Sequence, residues 1–531
     1  MILLPTLLFA QNLTLDFFKD KPKSLTKDFY ISQYLDQNIT TAQANAIIPQ
    51  IKNMNNKMLF KLAKKSNDPK ILEKARCLKL ESKKFIHESP ECIKRALSLY
   101  KATKLDAKEL QKIVQKVKTK YPNLATKYSA IIDKDFTNFI NLKPKILISV
   151  FTSVGGDFRK KHYNYYLPPM TLTKLEQEPS FSKMVIKIIR SEKLVHLQKS
   201  LIYVKGKKLS DHANFLLALN AIKHGYKKEA IKFLDTSIEN AKFRCDHDRA
   251  FFWKYLLTKD RSILVELSKS KDINIYSLFS NEKLGTQPKE IISSILPKVK
   301  NSPIDIKDPF AWIKFYKNFK NKKFASYEEK KAWAMQYNSP DMEPHIAKMI
   351  YNYNNNTHYF LRPYYQYIKD LPTKRQIMLL ALARQESRFI PTDVSYSYAL
   401  GMMQFMPFLA KDIAKKLGLK NFRYEYMFDP KIAYIFGNYH LNFLERNLNH
   451  PLFIAYAYNG GLGFTKRKIL SKNYFKGGNY EPFWSLEMVP NPQARKYGKK
   501  VLANYAIYAK LFGLKITLTD LLRRLNQVDH K

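Results

Sequence analysis

The chain has 531 residues, enough for two to four domains with several hydrophobic cores. Its 92 Lys and Arg residues against 45 Asp and Glu residues give a formal charge of +47, which implies a polyanionic partner or an anionic working surface. Lysine is spread evenly, without a basic block, zinc-finger spacing or RNP-type aromatic motif, so the composition argues against a dedicated nucleic-acid groove.

The composition also indicates the fold class. Only 15 glycines accompany 45% hydrophobic residues, and Lys- and Leu-rich runs continue through the chain. Hairpin signals such as Asn-Gly or Asp-Gly between alternating strands are scarce. We therefore predict an almost all-α protein.

The chain opens with a short apolar run at residues 2–10, followed at once by polar Gln11 and Asn12. This pattern resembles the hydrophobic region and cleavage end of a secretory signal, and we interpret residues 1–10 as a signal-peptide remnant. The alternative is a buried N-terminal segment. Elsewhere the sequence contains no run of roughly 18 apolar residues, so we expect no transmembrane segment.

The three cysteines, Cys77, Cys92 and Cys245, form no metal or redox pattern. At most one disulfide can form within the chain. Cys245 with His247 is a weak ligand pair, and buried thiols are the favoured interpretation. The sequence alone leaves the disulfide state undecided.

Residues 13–297 have the pattern of successive amphipathic helices with short polar breaks. The clearest pair, at 213–226 and 227–238, resembles a tetratricopeptide-type helical hairpin with Gly-Tyr at its turn. One hairpin cannot bury its own apolar face, whereas stacked pairs can. We therefore predict an α-superhelical solenoid over residues 11–300, with a degenerate repeat.

Pro297, Pro303 and Pro309 punctuate a polar stretch that we interpret as a domain boundary. Residues 310–353 then have the pattern of aromatic amphipathic helices. We predict a small helical linker domain over residues 301–360.

A predicted polar loop at 354–357 precedes the helix that carries the candidate catalytic group. Thr373 and Gln376 match the capping box, and Pro372 discourages a helix from continuing in from upstream. Seven apolar residues follow without a break at 377–383. This pattern leaves no solvated stripe and predicts burial on most sides.

Glu386 follows this apolar run near the predicted end of the helix. Leu382 and Ala383 lie four and three residues before it, so the acid shares their face. Burial and the partial negative charge of the helix C-terminus both favour a protonated carboxyl near pH 7, as a general acid requires. The alternative is a structural Glu that is solvated or paired with Arg384 or Arg388.

Two further blocks follow, Ser-Tyr-Ser-Tyr-Ala-Leu-Gly-Met-Met-Gln-Phe-Met-Pro at 395–407 and Ala-Tyr-Ala-Tyr-Asn-Gly-Gly at 455–461. Together with Gln-Glu-Ser-Arg-Phe at 385–389, they resemble the signature blocks of the soluble lytic transglycosylases, which are peptidoglycan-cleaving enzymes with a goose-type-lysozyme-like domain. A looser fourth block at 486–497 resembles the family pattern, except that Gln and Ala replace its usual Glu-Thr.

The resemblance implies a lysozyme-like catalytic domain at residues 361–531 and a reaction. In this family the C6 hydroxyl of N-acetylmuramic acid attacks its own C1, breaking the β-1,4 bond to N-acetylglucosamine and leaving a 1,6-anhydro sugar. Glu386 would act first as acid toward the glycosidic oxygen and then as base toward the O6 proton. One carboxylate suffices because the substrate supplies its own nucleophile.

The second block supplies three candidate site residues. The resemblance assigns Gln404 and Met406 to the substrate groove. It assigns Ser395 to a hydrogen bond that supports the acid or the sugar. Methionines and aromatic residues at this density are also typical of an ordinary core, which is the alternative interpretation of the block.

The third and fourth blocks supply three more candidate site residues. The resemblance implies that the Tyr458 hydroxyl orients Glu386 and that Asn459 shapes the same wall. Glu487 would be a substrate-binding carboxylate. An ordinary buried tyrosine and a surface glutamate are the alternatives for Tyr458 and Glu487.

We therefore expect an exported, periplasmic lytic transglycosylase that acts on peptidoglycan glycan strands, with cell-wall synthesis or lysis proteins as possible partners. No nucleic acid, metal or organic cofactor is implied. A muramidase that uses water, and an inactive helical scaffold or nucleic-acid-binding protein, are the alternatives. The sequence does not distinguish action at chain ends from action inside strands, a stem-peptide preference, or a solenoid closed into a ring.

Overall fold

A computed structural model describes residues 13–288, 290–351 and 357–526 of the chain. The predicted signal-peptide remnant at residues 1–10 lies outside the described residues, as does most of the predicted loop at 354–357. The described part is almost entirely α-helical, which confirms the predicted fold class.

The chain divides into two compact units. Unit 1 combines two separate stretches, residues 1–66 and 271–531, and unit 2 is the intervening stretch, residues 67–270. These limits differ from the domain boundaries expected near residues 300 and 360, which stay predictions.

The described part of the first stretch of unit 1 contains four α-helices. They are α1 (Asp16–Lys19), α2 (Leu25–Tyr34), α3 (Thr41–Ile47) and α4 (Asn56–Leu62). Asp28 of α2 is fully buried and accepts the backbone N–H groups of Lys52 and Asn53, each at 2.8 Å. This carboxylate therefore fixes α2 against the segment that follows α3.

Unit 2 is built from fifteen α-helices within the described residues. They are α5 (Pro69–Lys79), α6 (Pro90–Ala96), α7 (Leu99–Ala102), α8 (Ala107–Lys118), α9 (Pro122–Asp133), α10 (Phe136–Ile140), α11 (Pro144–Ser153), α12 (Gly156–Tyr163), α13 (Pro169–Leu175), α14 (Phe181–Ile189), α15 (Val195–Ser200), α16 (Asp211–Lys223), α17 (Lys227–Glu239), α18 (Arg244–Thr258) and α19 (Arg261–Ser268). Helices close in sequence pack on one another, and α16, α17, α18 and α19 each contact the next.

The predicted helical hairpin is confirmed by α16 and α17. Gly225 lies at the turn with φ of +82°, a left-handed conformation that glycine adopts without steric penalty. Phe215 and Leu216 of α16 and Leu234 of α17 are buried. The wider solenoid stays a prediction.

The prediction of buried thiols is wrong for two of the three cysteines. Cys77 of α5 and Cys92 of α6 form a disulfide across 15 residues of sequence. The packing of α5 on α6 brings the two residues together, a contact that the spacing of the cysteines does not reveal. Cys245 stands outside this disulfide.

The second stretch of unit 1 carries twelve α-helices in its described part. They are α20 (Ile275–Leu284), α21 (Pro309–Asn321), α22 (Tyr327–Met335), α23 (Glu343–Ile350), α24 (Thr373–Glu386), α25 (Pro407–Lys416), α26 (Pro430–Glu445), α27 (Pro451–Gly460), α28 (Leu462–Thr465), α29 (Phe483–Met488), α30 (Pro492–Leu511) and α31 (Leu518–Leu525). Two short strands, β1 (Ile291–Ile292) and β2 (His358–Tyr359), pair in parallel.

The described residues also form short 3-10 and π-helical segments. The 3-10 turns are Ile48–Gln50, Ser82–His87, Leu201–Tyr203, Pro340–Met342, Tyr365–Tyr367 and Tyr424–Phe428, and Lys466–Leu470 is a π-helical turn. Within the part of the chain that the structure describes, no helix has the length and apolar character needed to cross a membrane.

The predicted helices between residues 310 and 353 are confirmed by α21, α22 and α23. Pro309 is the first residue of α21, where its missing N–H is tolerated, and Asp308 accepts the backbone N–H of Phe310. The helices share an aromatic core in which the ring centroid of Trp333 lies 5.7 Å from that of Phe319 and 4.7 Å from that of Tyr337.

Helix α24 begins at Thr373, as predicted, but without the predicted capping box. Thr373 is already helical and provides no side-chain cap. Gln376 is only 5% exposed, and its amide nitrogen instead donates to the carbonyls of Lys369 and Leu371. Its amide oxygen accepts from Tyr365 at 2.6 Å, so Gln376 secures the turn before the helix.

Helix α24 forms the core of unit 1. Its residues 376–383 are all buried, and it packs on α26 and α30. Gly437 permits the close approach of α26, because a Cβ there would lie 3.0 Å from Leu379 Cδ2 and from Met403 Cε. Gly498 permits the close approach of α30 to α27, because a Cβ there would lie 2.2 Å from the Tyr456 ring of α27.

We predict that Gly498→Ala destabilises unit 1. Alanine favours a helix over glycine by up to about 1 kcal/mol, but overpacking against the fully buried Tyr456 costs about 1–3 kcal/mol or more. Thermal unfolding should show a midpoint lowered by several degrees. Lys500→Ala, at an exposed position of the same helix, is the matched control and should leave the midpoint in place. Equal midpoints for both variants would contradict the packing described for α27 and α30.

Candidate active site

Glu386 is the last residue of α24, as predicted. The backbone then turns sharply, since Arg388 and Phe389 adopt left-handed conformations with φ of 56° and 66°. The buried helix therefore ends where the chain reaches the surface, and Glu386 is partly accessible while Ala383, one turn earlier, is fully buried. This position suits a group that must be shielded from water yet reach a substrate.

Burial raises the pKa of Glu386 to about 7. The opposing influence is the Tyr497 hydroxyl, which donates to Glu386 Oε1 at 2.7 Å and favours the charged form. The predicted shift toward a protonated acid near neutral pH is thus confirmed. Burial is its cause.

Neither neighbouring arginine neutralises this carboxylate. Arg384 donates to the Tyr359 carbonyl at 2.8 Å and to Asn504 Oδ1 at 2.6 Å. Arg388 lies over the ring of Tyr351, 4.2 Å from its centroid. The alternative of a structural Glu paired with Arg384 or Arg388 therefore does not describe this site.

A compact loop at residues 394–406 forms one wall of the site. Leu400 makes antiparallel bridges to both Val394 and Phe405, so the loop folds back on itself. Gly401 has φ of 75°, and a Cβ there would lie 2.0 Å from the Met427 carbonyl oxygen, which only glycine avoids. Ser387 Oγ donates to the Met402 carbonyl at 2.9 Å and joins this loop to the end of α24.

Gln404 lies within this loop and braces it. Its Nε2 donates to the carbonyls of Asp393 and Gly401, at 3.1 and 2.8 Å. The backbone of Gln404 is left-handed, with φ of 53°. Met406 is the partly exposed residue that precedes α25.

Ser395 makes a hydrogen bond within the loop and none to the acid, and its predicted contact with the sugar stays a prediction. Its Oγ accepts the backbone N–H of Ala399 at 2.8 Å, and its own N–H donates to the Ala399 carbonyl. Ser395 thus closes the turn at 395–399. The serine that joins the acid's helix to the loop is Ser387.

Tyr458 does not donate to Glu386. Its hydroxyl donates instead to the Met403 carbonyl at 2.7 Å, and a phenol has one proton to give. Burial and then the charge of Glu386 raise the pKa of Tyr458, so the two groups are electrostatic neighbours. Tyr458 supports the loop wall, and Asn459 follows it, partly exposed, near the end of α27.

The tyrosine that contacts the acid is Tyr497 of α30. Burial, reinforced by Glu386, holds its pKa well above the usual range, so Tyr497 stays protonated and acts as the donor. The sequence contained this residue only as the last position of the fourth block. Its hydroxyl comes within reach of Glu386 through the packing of α24 on α30, which no local pattern encodes.

Glu487 is neither a surface residue nor an open substrate-binding carboxylate. It is 1% exposed and forms an ion pair with Lys499 at 2.6 Å. The Tyr276 hydroxyl also donates to Glu487. These contacts tie α29 and α30 to α20, so the predicted substrate contact is replaced by a structural one.

Asp393 is the other acid near the loop. Burial raises its pKa, and the charge of Lys348 opposes that change. Its backbone carbonyl accepts from Gly401 and Gln404. The Asp393 carboxylate therefore interacts with the charge of Lys348, and its backbone is hydrogen-bonded within the loop. Glu386, by contrast, has the Tyr497 hydroxyl as its partner.

Comparison with known sequences finds one domain family that matches part of this chain. The sequence profile of the transglycosylase SLT domain matches residues 364–480. The soluble lytic murein transglycosylase of Escherichia coli K12 is 30% identical over 152 residues, which make up 28% of this chain and 22% of that protein. The Salmonella typhimurium LT2 protein of the same description is 29% identical over 145 residues, 27% of this chain and 22% of that protein. The aligned region thus spans under a quarter of these relatives.

Solved structures extend the likeness to the whole fold. The 70 kDa soluble lytic transglycosylase from Escherichia coli has a TM-score of 0.52 at 16% identity, covering 96% of this chain and 85% of that one. An inactive mutant of the lytic transglycosylase Slt from Pseudomonas aeruginosa has a TM-score of 0.50 at 13% identity, covering 93% of this chain and 80% of that one. At these identities the comparison establishes a shared fold.

We predict that Glu386→Gln stabilises the folded protein at pH 8 and changes its stability little at pH 4. The folded-state pKa of about 7 lies above the ordinary value of 4.5, so the folded state binds more protons between these values. Stability therefore falls as the pH rises from 4.5 to 7, by up to about 3 kcal/mol, and glutamine removes this loss.

Thermal unfolding at the two pH values measures this effect. Glu445→Gln, which removes an ion pair with Arg375 at 2.5 Å, is the control and should not stabilise the protein at either pH. A Glu386→Gln variant that is less stable than the parent at pH 8 would show that the ionised acid is well solvated.

Proposed function

Since residues 364–480 belong to the transglycosylase SLT domain family, we propose that this protein is a peptidoglycan lytic transglycosylase. It cleaves the β-1,4 bond between N-acetylmuramic acid and N-acetylglucosamine and forms a 1,6-anhydro product. The observation that carries the proposal is the Glu386 carboxyl at the end of α24, whose pKa burial raises to about 7 and which accepts a hydrogen bond from a tyrosine.

The first step needs a proton on the glycosidic oxygen. Protonated Glu386 donates this proton, the bond from C1 to the leaving oxygen breaks, and positive charge develops at C1. Glu386 is then ionised in a site that disfavours its charge. The Tyr497 hydroxyl, already 2.7 Å from Oε1, stabilises that carboxylate.

The second step returns the proton to the enzyme. The C6 hydroxyl of the muramic acid attacks C1, and Glu386 takes the proton released from O6. A pKa near neutrality serves both directions, because the acid must give up its proton and regain it within one turnover. Water is not required as a nucleophile.

The loop at 394–406 supports substrate recognition. Both N–H groups of the Gln404 amide donate to backbone carbonyls, which fixes the side chain and leaves its oxygen as the acceptor for a sugar hydroxyl. Met406, Asn459 and the ring of Tyr458 would form adjacent surface. We propose these residues as the groove that holds the sugar beside Glu386.

The cellular setting follows from the substrate and the disulfide. Peptidoglycan lies outside the cytoplasmic membrane, and the Cys77–Cys92 disulfide fits an oxidising compartment. We therefore propose that the protein is exported and acts in the periplasm. The formal charge of +47 would hold it near an anionic wall polymer, and partners in wall synthesis or lysis would meet it there.

Glu386→Gln should reduce glycan cleavage by at least roughly 100-fold, the usual scale for loss of a general acid. Purified peptidoglycan is digested and the products are resolved by mass, with 1,6-anhydro ends as the expected signature. Glu445→Gln, the fold-matched control, should retain cleavage.

The products also discriminate between the reactions considered. Reducing ends without anhydro product would favour a hydrolytic muramidase. Unchanged cleavage by Glu386→Gln would remove this acid from the mechanism, and no cleavage by the parent protein would favour an inactive scaffold.

Tyr497→Phe should shift the alkaline limit of activity to higher pH. The Tyr497 hydroxyl favours the charged form of Glu386, so its removal raises the pKa of the acid above about 7 and keeps it protonated further into the alkaline range. The rate at neutral pH should also fall, since the ionised acid loses its donor.

The pH dependence of kcat/KM measures this shift. Tyr458→Phe is the control, because its hydroxyl donates to the Met403 carbonyl, and its alkaline limit should stay near that of the parent. An alkaline limit that moves to lower pH in Tyr497→Phe would contradict the assigned hydrogen bond.

A further inference from the structure

Unit 2 exposes a group of large apolar side chains that the proposed reaction does not use. They lie in two segments of the chain, residues 165–170 and 195–203. The side chains, with their exposed fractions, are Tyr165 (52%), Tyr166 (56%), Met170 (72%), Val195 (40%) and Tyr203 (72%). Single exposed apolar residues are ordinary, whereas a group of them marks an interaction site.

The two segments that carry these side chains lie against each other. The backbone N–H of Leu167 donates to Ser200 Oγ at 2.9 Å. Helix α13 packs on the 3-10 turn Leu201–Tyr203. The ring centroid of Tyr166 lies 5.0 Å from that of His196. The exposed side chains therefore belong to one part of the surface of unit 2, which we call the Tyr166 surface.

Lysines surround the Tyr166 surface. Residues 157–207 contain eleven Lys and Arg residues against four Asp and Glu residues. Six of the lysines are exposed and, among the described residues, have no carboxylate oxygen within 4.0 Å of the ammonium nitrogen. They are Lys160, Lys161, Lys174, Lys199, Lys205 and Lys207. These ammonium groups are therefore able to bind anions from outside the protein.

Two of the four acids in this stretch already have partners. Glu176 is buried, and its Oε1 accepts the backbone N–H groups of Lys205 and Gly206 at 2.7 and 2.9 Å. Asp157 forms an ion pair with Lys193 at 2.8 Å. The first of these contacts fixes the backbone of an exposed lysine beside Tyr203, so one buried acid holds the rim of the surface in place.

We propose that the Tyr166 surface docks unit 2 onto a membrane with anionic lipid headgroups. Tyrosine is enriched at the membrane–water interface, where its ring meets apolar groups and its hydroxyl meets water. Met170 and Val195 would reach the boundary of the acyl chains, and the lysines would bind the lipid phosphates. The inference concerns attachment of the protein and does not rest on the proposed reaction.

The chemistry of the surface favours lipid over a glycan strand. Tyrosine rings can stack on sugars, but Val195 has no group that bonds a sugar hydroxyl, and Met170 has only a weakly accepting sulfur. Acyl chains need no hydrogen bonds and match both side chains. Anionic headgroups also match the unpaired lysines by charge, so a lipid surface satisfies the apolar and the basic parts together.

Flotation of the full chain with lipid vesicles at physiological ionic strength tests the inference. The parent should bind phosphatidylcholine vesicles that contain phosphatidylglycerol and bind pure phosphatidylcholine much more weakly. Met170→Ser with Tyr203→Ser removes the two most exposed apolar side chains and should weaken binding about tenfold. Phe243→Ser with Val265→Ser, the matched control, removes exposed apolar side chains elsewhere in unit 2 and should bind like the parent.

The control variant separates the Tyr166 surface from the general basic charge of the chain. Equal vesicle binding by the two double variants would overturn the inference, because charge alone would then explain attachment. Equal binding of the parent to both kinds of vesicle would overturn the role of the lysines.

Sedimentation with purified peptidoglycan examines the competing occupant. A Met170→Ser and Tyr203→Ser variant that loses binding to peptidoglycan but keeps binding to vesicles would show a glycan surface and overturn the inference. Unchanged thermal unfolding and unchanged cleavage of soluble glycan fragments by this variant would show that its loss of vesicle binding comes from the surface itself.

Discussion

The candidate site depends on where the fold places the Glu386 carboxyl. Burial disfavours its charged form, and the hydrogen bond from the Tyr497 hydroxyl partly offsets that effect. Glu386 ends a helix whose residues 376–383 are buried, so the acid emerges directly from the core of unit 1. Tyr497 comes from α30, and its neighbour Gly498 allows α30 to approach Tyr456 closely. The missing side chain at Gly498 thus lets α30 pack closely on α27, while the preceding residue, Tyr497, contacts the acid at the end of α24.

The loop at 394–406 is held in an unusual shape by several independent contacts. Tyr398, Gly401 and Gln404 all have left-handed backbones, which non-glycine residues adopt only when their surroundings enforce it. Gln404 and Ser395 brace the loop from within, and the Tyr458 hydroxyl secures the Met403 carbonyl. Contacts within the protein therefore define the shape of the wall beside the acid.

The sequence predicted what local pattern encodes and missed what tertiary packing decides. The apolar run before Glu386 predicted burial and a raised pKa, and the hairpin at α16 and α17 followed from its own repeat. Tyr458 and Glu487 have other partners than expected, and the donor to Glu386 is Tyr497, because these contacts join segments remote in sequence. The capping box at Thr373 is absent for a local reason, since the buried Gln376 side chain bonds Tyr365, Lys369 and Leu371 before the helix. The Cys77–Cys92 disulfide likewise depends on how α5 packs on α6.

The first helices of the chain have a further meaning for assembly. Phe29 of α2 meets Tyr398 of the loop and Tyr424, with ring centroids 6.0 and 5.9 Å apart. The stretch that is synthesised early therefore finishes folding only against residues made some 370 positions later. The early stretch thus gains this aromatic contact only once the later residues are present.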